Sequence, residues 1–195
     1  NLRSRKIESV VSEVKNLAKI GVREINLISQ DTSNYGIDLY NTPKIVKLLK
    51  ELEKIKDIIW IRLLYLYPSR ISDELIDLIA KSKKVCKYID MPLQHINDKI
   101  LTSMGRRYAK KDVILLIDKI RKKIPNVILR TTFITGYPGE TEKEFMDLLN
   151  FVKKIRFNRL GVFVYSMEKG TIAAKLNNQV INKVKRSRKD RIMKA

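Results

Sequence analysis

Three short segments hold most of the polar residues that suit the binding of a polar ligand. They are Gln30-Asp31, Pro92-Leu93-Gln94-His95 and the run from Arg130 to Glu140. Amide, carboxylate, imidazole and guanidinium groups can hold such a ligand when they converge at one place. The sequence therefore predicts a polar binding site built from segments that lie far apart along the chain.

Each candidate residue also has a structural explanation, which the residues alone leave open. Asp31 suits an Asx turn with the residues that follow it. His95, the single histidine of the chain, could be a hydrogen-bonded structural residue. Gly136 could serve turn geometry, and Arg130 could pair with a buried carboxylate. Cys86 is expected in the core, because no second cysteine exists to share a metal ion.

The elements that must position these residues alternate between strand and helix. Strand centres are predicted near residues 25, 61, 88, 130 and 161, with amphipathic helical segments between them. Such alternation predicts βαβ units and a parallel sheet. Because ligands of parallel α/β folds lie at the carboxyl ends of the strands, the polar segments are predicted to meet there.

Several local signals predict where elements begin and end. Gly21 suits the end of a first helix, and Thr42, followed by proline, suits the N-cap of another helix. Ser72 is predicted to cap a further helix, and residues 141–144 form a capping box. The apolar run 58–64 predicts a strand buried on both faces.

Composition limits the classes of protein to which the chain can belong. The chain has 41 Lys and Arg against 21 Asp and Glu, a net charge of +20, which would attract polyanions such as RNA or a ribosomal surface. A lysine-biased genome would explain the same excess. No run reaches the roughly 20 apolar residues of a membrane helix, and no signal-peptide pattern opens the chain. One cysteine fits a reducing cytosol, so we expect a cytoplasmic protein without membrane attachment. A monomer is a separate expectation.

Four stretches resemble one enzyme family, the radical S-adenosylmethionine (SAM) methylthiotransferases. In order they are IRLLYLYP (61–68), YIDMPLQHIND (88–98), MGRR (104–107) and RTTFITGYPGET (130–141). Their order and spacing make the resemblance specific, and it extends from about Arg3 to the end of the chain. Within the family one branch modifies isopentenyladenosine in tRNA, and another modifies an aspartate β-carbon in a small-subunit ribosomal protein. Gln94-His95 and Arg130-Thr131-Thr132 favour the second branch.

The resemblance implies a fold and two cofactors. The fold is a partial (β/α) TIM-like barrel of the radical SAM type, here lacking its first strand, in residues 1–175. Residues 176–195 would form a basic helix or linker toward a barrel domain that binds RNA or protein. The cofactors are SAM and [4Fe–4S] clusters, and the Cys-x-x-x-Cys-x-x-Cys ligands of the cluster that binds SAM are expected before Asn1. The chain alone is expected to be inactive, since thiolates must hold such a cluster.

The resemblance also implies contacts with SAM. Gln30 and Asp31 would lie near its methionine end, Gln94 and His95 near its ribose, and Arg130 with Thr132 near a carboxylate. The turn at Gly136 and the backbone of Val162 and Val164 would border the adenine, and Tyr165 would close the barrel mouth.

Three functions stay open on this reading of the sequence. The first is methylthiolation of a ribosomal protein, free or within the ribosome, with RNA contact as an added expectation. The second is methylthiolation of tRNA. The third is a non-catalytic remnant that binds RNA by charge, whose affinity would fall steeply with salt and would ignore SAM.

Overall fold

The computed structural model describes residues 2–195, which form two compact units. The first unit contains the residues up to Met91 together with Ile117–Ile128, and the second contains Pro92–Leu116 with Leu129–Ala195. The predicted boundary at 175/176 does not coincide with this division, and a separate domain after it stays a prediction.

The helices and strands alternate as the sequence predicts. The helices are α1 Ile7–Lys19, α2 Ile37–Tyr40, α3 Ile45–Glu53, α4 Asp73–Lys81, α5 Asp98–Ser103, α6 Lys110–Lys123, α7 Glu142–Ile155 and α8 Asn182–Met193. The strands are β1 Glu24–Leu27, β2 Trp60–Leu63, β3 Tyr88–Asp90, β4 Ile128–Thr135 and β5 Arg159–Val164. Short 3₁₀ turns lie at Thr32–Asn34, Pro68–Arg70 and Ala173–Lys175.

In the first unit, β1 and β2 pair in parallel, with Ile25 opposite Ile61. Ile25 and Ile61 are buried, as are apolar side chains of the unit's helices such as Leu49 and Ile76. On the other face of β2, Trp60 is 54% exposed. The prediction of a strand buried on both faces is therefore wrong: an apolar run does not distinguish one covered face from two.

In the second unit, β4 and β5 pair in parallel, with Phe133 opposite Val162. Phe133 is fully buried and meets the rings of Phe151 and Phe157 edge-on at centroid distances of 6.4 and 6.0 Å. Parallel pairing in both units confirms the predicted βαβ organisation. The carboxyl ends of β4 and β5 consequently lie side by side.

Most predicted caps are confirmed, and one is wrong. Gly21 follows α1 at φ +96°, and Ser72 accepts a hydrogen bond from Leu75 N–H at the start of α4. Thr42 does not cap α3, whose N-cap is Lys44. The amide of Lys44 donates to Tyr35 O at 2.7 Å, and this contact with the preceding loop delays the helix by two residues.

Phe133 and Phe163 on neighbouring strands give a matched test of the core. Phe133→Ala should lower the free energy of unfolding by about 3–5 kcal/mol, because it empties a packed aromatic site. Phe163 is 61% exposed, so Phe163→Ala should change the free energy of unfolding by only about 0.5 kcal/mol. Urea denaturation measures both, and equal losses would contradict this assignment of the core.

The capping box of α7 predicts a pH dependence of stability. Hydrogen bonds from the Thr141 hydroxyl and amide lower the pKa of Glu144 from 4.5 to about 2. A carboxylate whose pKa is lower in the folded state than in the unfolded state stabilises the fold at pH values above its unfolded-state pKa. This stabilisation is lost as the pH falls toward the folded-state pKa. Thr141→Val removes the hydroxyl donor and should reduce the fall in urea midpoint between about pH 6 and about pH 3. Thr42→Val, at an exposed threonine that caps nothing, should leave that fall unchanged.

Candidate functional site

The loop after β1 is tied to the loop after β2 within the first unit. The Thr32 amide donates to Tyr65 O at 3.0 Å, and its hydroxyl donates to Leu64 O at 2.6 Å. The Ser33 hydroxyl accepts from Tyr67 N–H at 3.1 Å. Sequence reasoning missed these roles, although two adjacent hydroxyl residues after Asp31 were a signal for them.

The carboxylate of Asp31 already has two partners in this loop. It forms an ion pair with the Arg70 guanidinium and accepts a hydrogen bond from the Ser33 hydroxyl. The neighbouring Gln30 is exposed. A ligand contact by Asp31 would therefore use a carboxylate whose charge Arg70 balances.

Tyr65 adopts an unusual backbone conformation directly after β2. Its φ is +57°, which is rare for a bulky residue. The fully buried Asp90 stabilises it by accepting its amide hydrogen at Oδ2, 3.1 Å away. The Tyr65 side chain stays 42% exposed. Strain held by a buried carboxylate marks a candidate functional position that sequence patterns do not reveal.

Gln94 shows the same kind of strain in the second unit, at φ +67°. Its amide donates to Thr132 O and its carbonyl accepts from Ile134 N–H, each at 2.8 Å. The His95 amide donates to Leu93 O at 2.8 Å, so a three-residue turn is centred on Gln94. The structure thus brings together two predicted site residues, Gln94 and Thr132.

Both ring nitrogens of the fully buried His95 face protein groups. Nδ1 accepts from Asn97 N–H at 3.0 Å, so the hydrogen of the neutral ring lies on Nε2. Nε2 is 3.3 Å from Glu140 Oε2, without hydrogen-bond geometry. The structure therefore gives His95 a packing role, and its predicted ribose contact stays a prediction.

Glu140 is buried, and charged and polar groups surround its carboxylate. Oε1 accepts from Arg188 at 2.7 Å and from Gly136 N–H at 3.0 Å. The side chains of Glu140 and Arg188 are 0% and 6% exposed. Sequence reasoning missed this pair, because 48 residues separate its members and no local pattern connects them.

Gly136 owes its residue type to its contact with α8. At φ +72°, an added Cβ would lie 2.2 Å from Lys185 Cγ. This side of the turn is therefore occupied by protein, and a ligand near Gly136 would have to approach from another direction.

Tyr165 lies just beyond β5 with its ring held on two sides. Tyr137 meets it edge-on at a centroid distance of 5.5 Å, and Lys185 Nζ lies 4.8 Å from its centroid. Its hydroxyl is buried and has no hydrogen-bond partner among residues 2–195. Burial raises its pKa, so the phenol stays protonated and can donate. This buried donor fits a polar atom of a ligand.

Alternation along the paired strands decides which other residues share the Thr132 face. Gly161 lies opposite Thr132, and Arg130 precedes Thr132 on the same face. Val162 points to the opposite, buried side and Val164 follows that alternation, so they offer this face only backbone.

The described residues do not fit an iron–sulfur cluster. Residues 2–195 contain no group of three His, Cys, Asp or Glu side chains that could hold a metal ion. Burial raises the pKa of the Cys86 thiol, which disfavours the thiolate a cluster needs. The same part of the chain has no helix long and apolar enough to cross a membrane.

Comparison with known proteins gives three kinds of match. The family model "Radical SAM superfamily" matches residues 1–152. The ribosomal protein uS12 methylthiotransferase RimO of Pelotomaculum thermopropionicum is 49% identical over 191 residues, which cover 98% of this chain and 43% of that protein. RimO of Clostridium kluyveri is 50% identical with the same coverage. The chain thus spans less than half the length of these curated relatives.

Solved structures resemble the fold at low sequence identity. Coproporphyrinogen III oxidase HemN of Escherichia coli, a radical SAM enzyme, has a TM-score of 0.68 at 18% identity. The match covers 96% of this chain and 43% of the HemN chain. The radical SAM methyltransferase TsrM of Kitasatospora setae, solved with cobalamin and a [4Fe–4S] cluster, has a TM-score of 0.63 at 19% identity. The match covers 82% of this chain and 31% of the TsrM chain. The prediction of a partial TIM-like barrel of the radical SAM type is confirmed.

Gly136 and Gly139 form a matched pair for testing the turn. Gly136→Ala combines a left-handed φ with the clash against Lys185 and should lower the unfolding free energy by more than about 2 kcal/mol. Gly139→Ala, at φ +84° with open space around it, should cost only about 1–2 kcal/mol. Thermal or urea unfolding compares them, and equal costs would show that α8 does not pack on Gly136.

Proposed function

Because the chain belongs to the radical SAM superfamily, we propose that it positions the cofactor in a methylthiotransferase that modifies ribosomal protein uS12. The observation that carries the proposal is the 49–50% identity over 98% of the chain to the two RimO proteins. Gln94-His95 and Arg130-Thr131-Thr132 support the same branch. As the resemblance implies, the modified atom is an aspartate β-carbon of that protein.

When bound, SAM supplies the adenosyl group that abstracts hydrogen in this superfamily. Iron ligation is assigned to no described residue, since none fits it. The chain's own contribution is to bind and orient the cofactor and to keep water away from it. The candidate residues in the loops follow the carboxyl ends of strands, where α/β folds bind ligands, whereas Arg130 and Thr132 lie within β4.

In the second unit, Thr132 and Arg130 share one face of β4, and the backbone of Gln94 is bonded to that strand. We assign Arg130 to a carboxylate, for which a charge-assisted bond contributes about 1.5–3 kcal/mol. The protonated Tyr165 hydroxyl would donate to a polar cofactor atom. Gln30 and Asp31 of the first unit stay predicted contacts for the methionine end.

The decisive experiment offers the reconstituted protein two substrates. Protein expressed from the complete gene, reconstituted anaerobically with iron and sulfide, is incubated with SAM, reductant and either uS12 or tRNA. Mass spectrometry should find uS12 with one hydrogen replaced by a methylthio group, and unmodified tRNA. Modified tRNA nucleosides would overturn the substrate assignment. The assignment as an enzyme would be overturned if neither substrate is modified and the protein binds RNA with an affinity that does not depend on SAM and falls steeply with salt.

Arg130→Met tests the carboxylate assignment in the same assay. Loss of a charge-assisted bond should raise the apparent KM for SAM by about ten- to a hundredfold. Lys154→Met removes an exposed positive charge from the end of α7 and serves as the matched control. An unchanged KM in a folded Arg130→Met protein would remove Arg130 from the cofactor site.

A further inference from the structure

The segment around α8 holds the turn that follows β4. The Gly139 amide donates to Asn178 O at 2.8 Å. One guanidinium nitrogen of Arg188 donates to the Glu140 carbonyl at 2.9 Å and to its carboxylate at 2.7 Å. Backbone and side chain of this turn are therefore bonded to a segment about 40 residues further along.

Lys185, one turn earlier on α8, reaches the ends of both strands. Its carbonyl accepts from the Thr135 hydroxyl at 3.2 Å, at the end of β4. Its ammonium donates to Tyr165 O at 3.0 Å, just beyond β5. Its side-chain stem packs on Gly136. A single residue thus contacts the ends of both strands.

Stability alone does not explain why Lys185 and Arg188 of α8 are buried. Both are at most 6% exposed, whereas Lys183 and Arg186 on the same helix are exposed. Burying a cation costs desolvation, and apolar residues of similar volume often stabilise as well or better. Ile192 already anchors the helix at 1% exposure. The two cations therefore specify where the helix and the turn sit relative to each other within this unit.

We propose that α8 is a clamp, with Lys185 and Arg188 as positioning residues that hold the Gly136–Glu140 turn and Tyr165 in the conformation that receives the adenosyl part of SAM. The identity of the ligand rests on the proposed function, whereas the clamp itself does not. This role goes beyond the basic helix or linker that the sequence predicts for residues 176–195.

Amide hydrogen exchange without ligand tests the clamp. Arg188→Met should speed exchange at Gly136 and Gly139 by about tenfold or more, because the turn loses its charged anchor. Arg186→Met, on the exposed side of the same helix, should leave both rates within about twofold. Arg188→Lys keeps the charge and should restore part of the protection. Unchanged rates in a folded Arg188→Met protein would overturn the clamp.

Lys185→Met provides a second variant in case Arg188→Met does not fold. Methionine keeps the stem that packs on Gly136 and loses the ammonium. Faster exchange at the Tyr165 amide, which donates to Thr135 O at 2.9 Å, would support the clamp. Unchanged exchange there would count against it.

Equilibrium dialysis of SAM with the reconstituted full-length protein tests the positioning role. Arg188→Met should weaken SAM binding by about tenfold, and Arg186→Met by less than about twofold. Faster amide exchange in the turn together with unchanged SAM affinity would overturn the positioning role of Arg188, while the proposed function would stay intact. If the unaltered protein binds no SAM, the proposed function and the assignment of the ligand both fail, and hydrogen exchange alone decides the clamp.

Discussion

The buried carboxylate of Glu140 is the group on which the second unit depends most. A carboxylate removed from water must find compensating charge and donors within the protein. Here Arg188 supplies the charge, Gly136 supplies an amide hydrogen, and His95 Nε2 lies 3.3 Å away. Three segments far apart in sequence are thereby constrained to one place. The turn after β4 is therefore held by this electrostatic requirement as well as by its glycines, whose φ values are positive.

Strained backbone at the carboxyl ends of strands occurs in both units. Tyr65 follows β2 at φ +57°, and Gln94 follows β3 at φ +67°. Neither residue is glycine, so each conformation persists only because neighbours hold it. Asp90 bonds the amide of Tyr65, while β4 bonds both backbone groups of Gln94. The strain is local and independently supported in each unit, as expected where a binding surface is built from backbone.

Sequence patterns predicted the elements well because the elements are locally encoded. The periodicity of α1, the Ser72 cap and the capping box at Thr141 are set by residues within a few positions of each other. The predictions were wrong where contacts between residues far apart in sequence determine the structure. α3 begins after Lys44, whose amide donates to Tyr35 O, and Trp60 is 54% exposed although the run around it is apolar.

Prediction of the site was limited by the same physics. Gln94 and Thr132 were recognised from the resemblance, and the structure brings them together. Arg188 was read as one basic residue in a polar helix, since nothing local distinguishes it from Arg186. Only tertiary structure shows that one guanidinium is buried against Glu140 and the other is exposed.

The low identity of the structural neighbours separates what the fold supplies from what the residues supply. HemN and TsrM share the fold at 18–19% identity, yet their names describe an oxidase and a methyltransferase. A common scaffold therefore carries different reactions, as fold in general does not fix function. What distinguishes these reactions must lie in side chains and in the contacts that hold them, since the fold is shared. The buried Glu140–Arg188 pair is such a contact, since it holds the turn that follows β4.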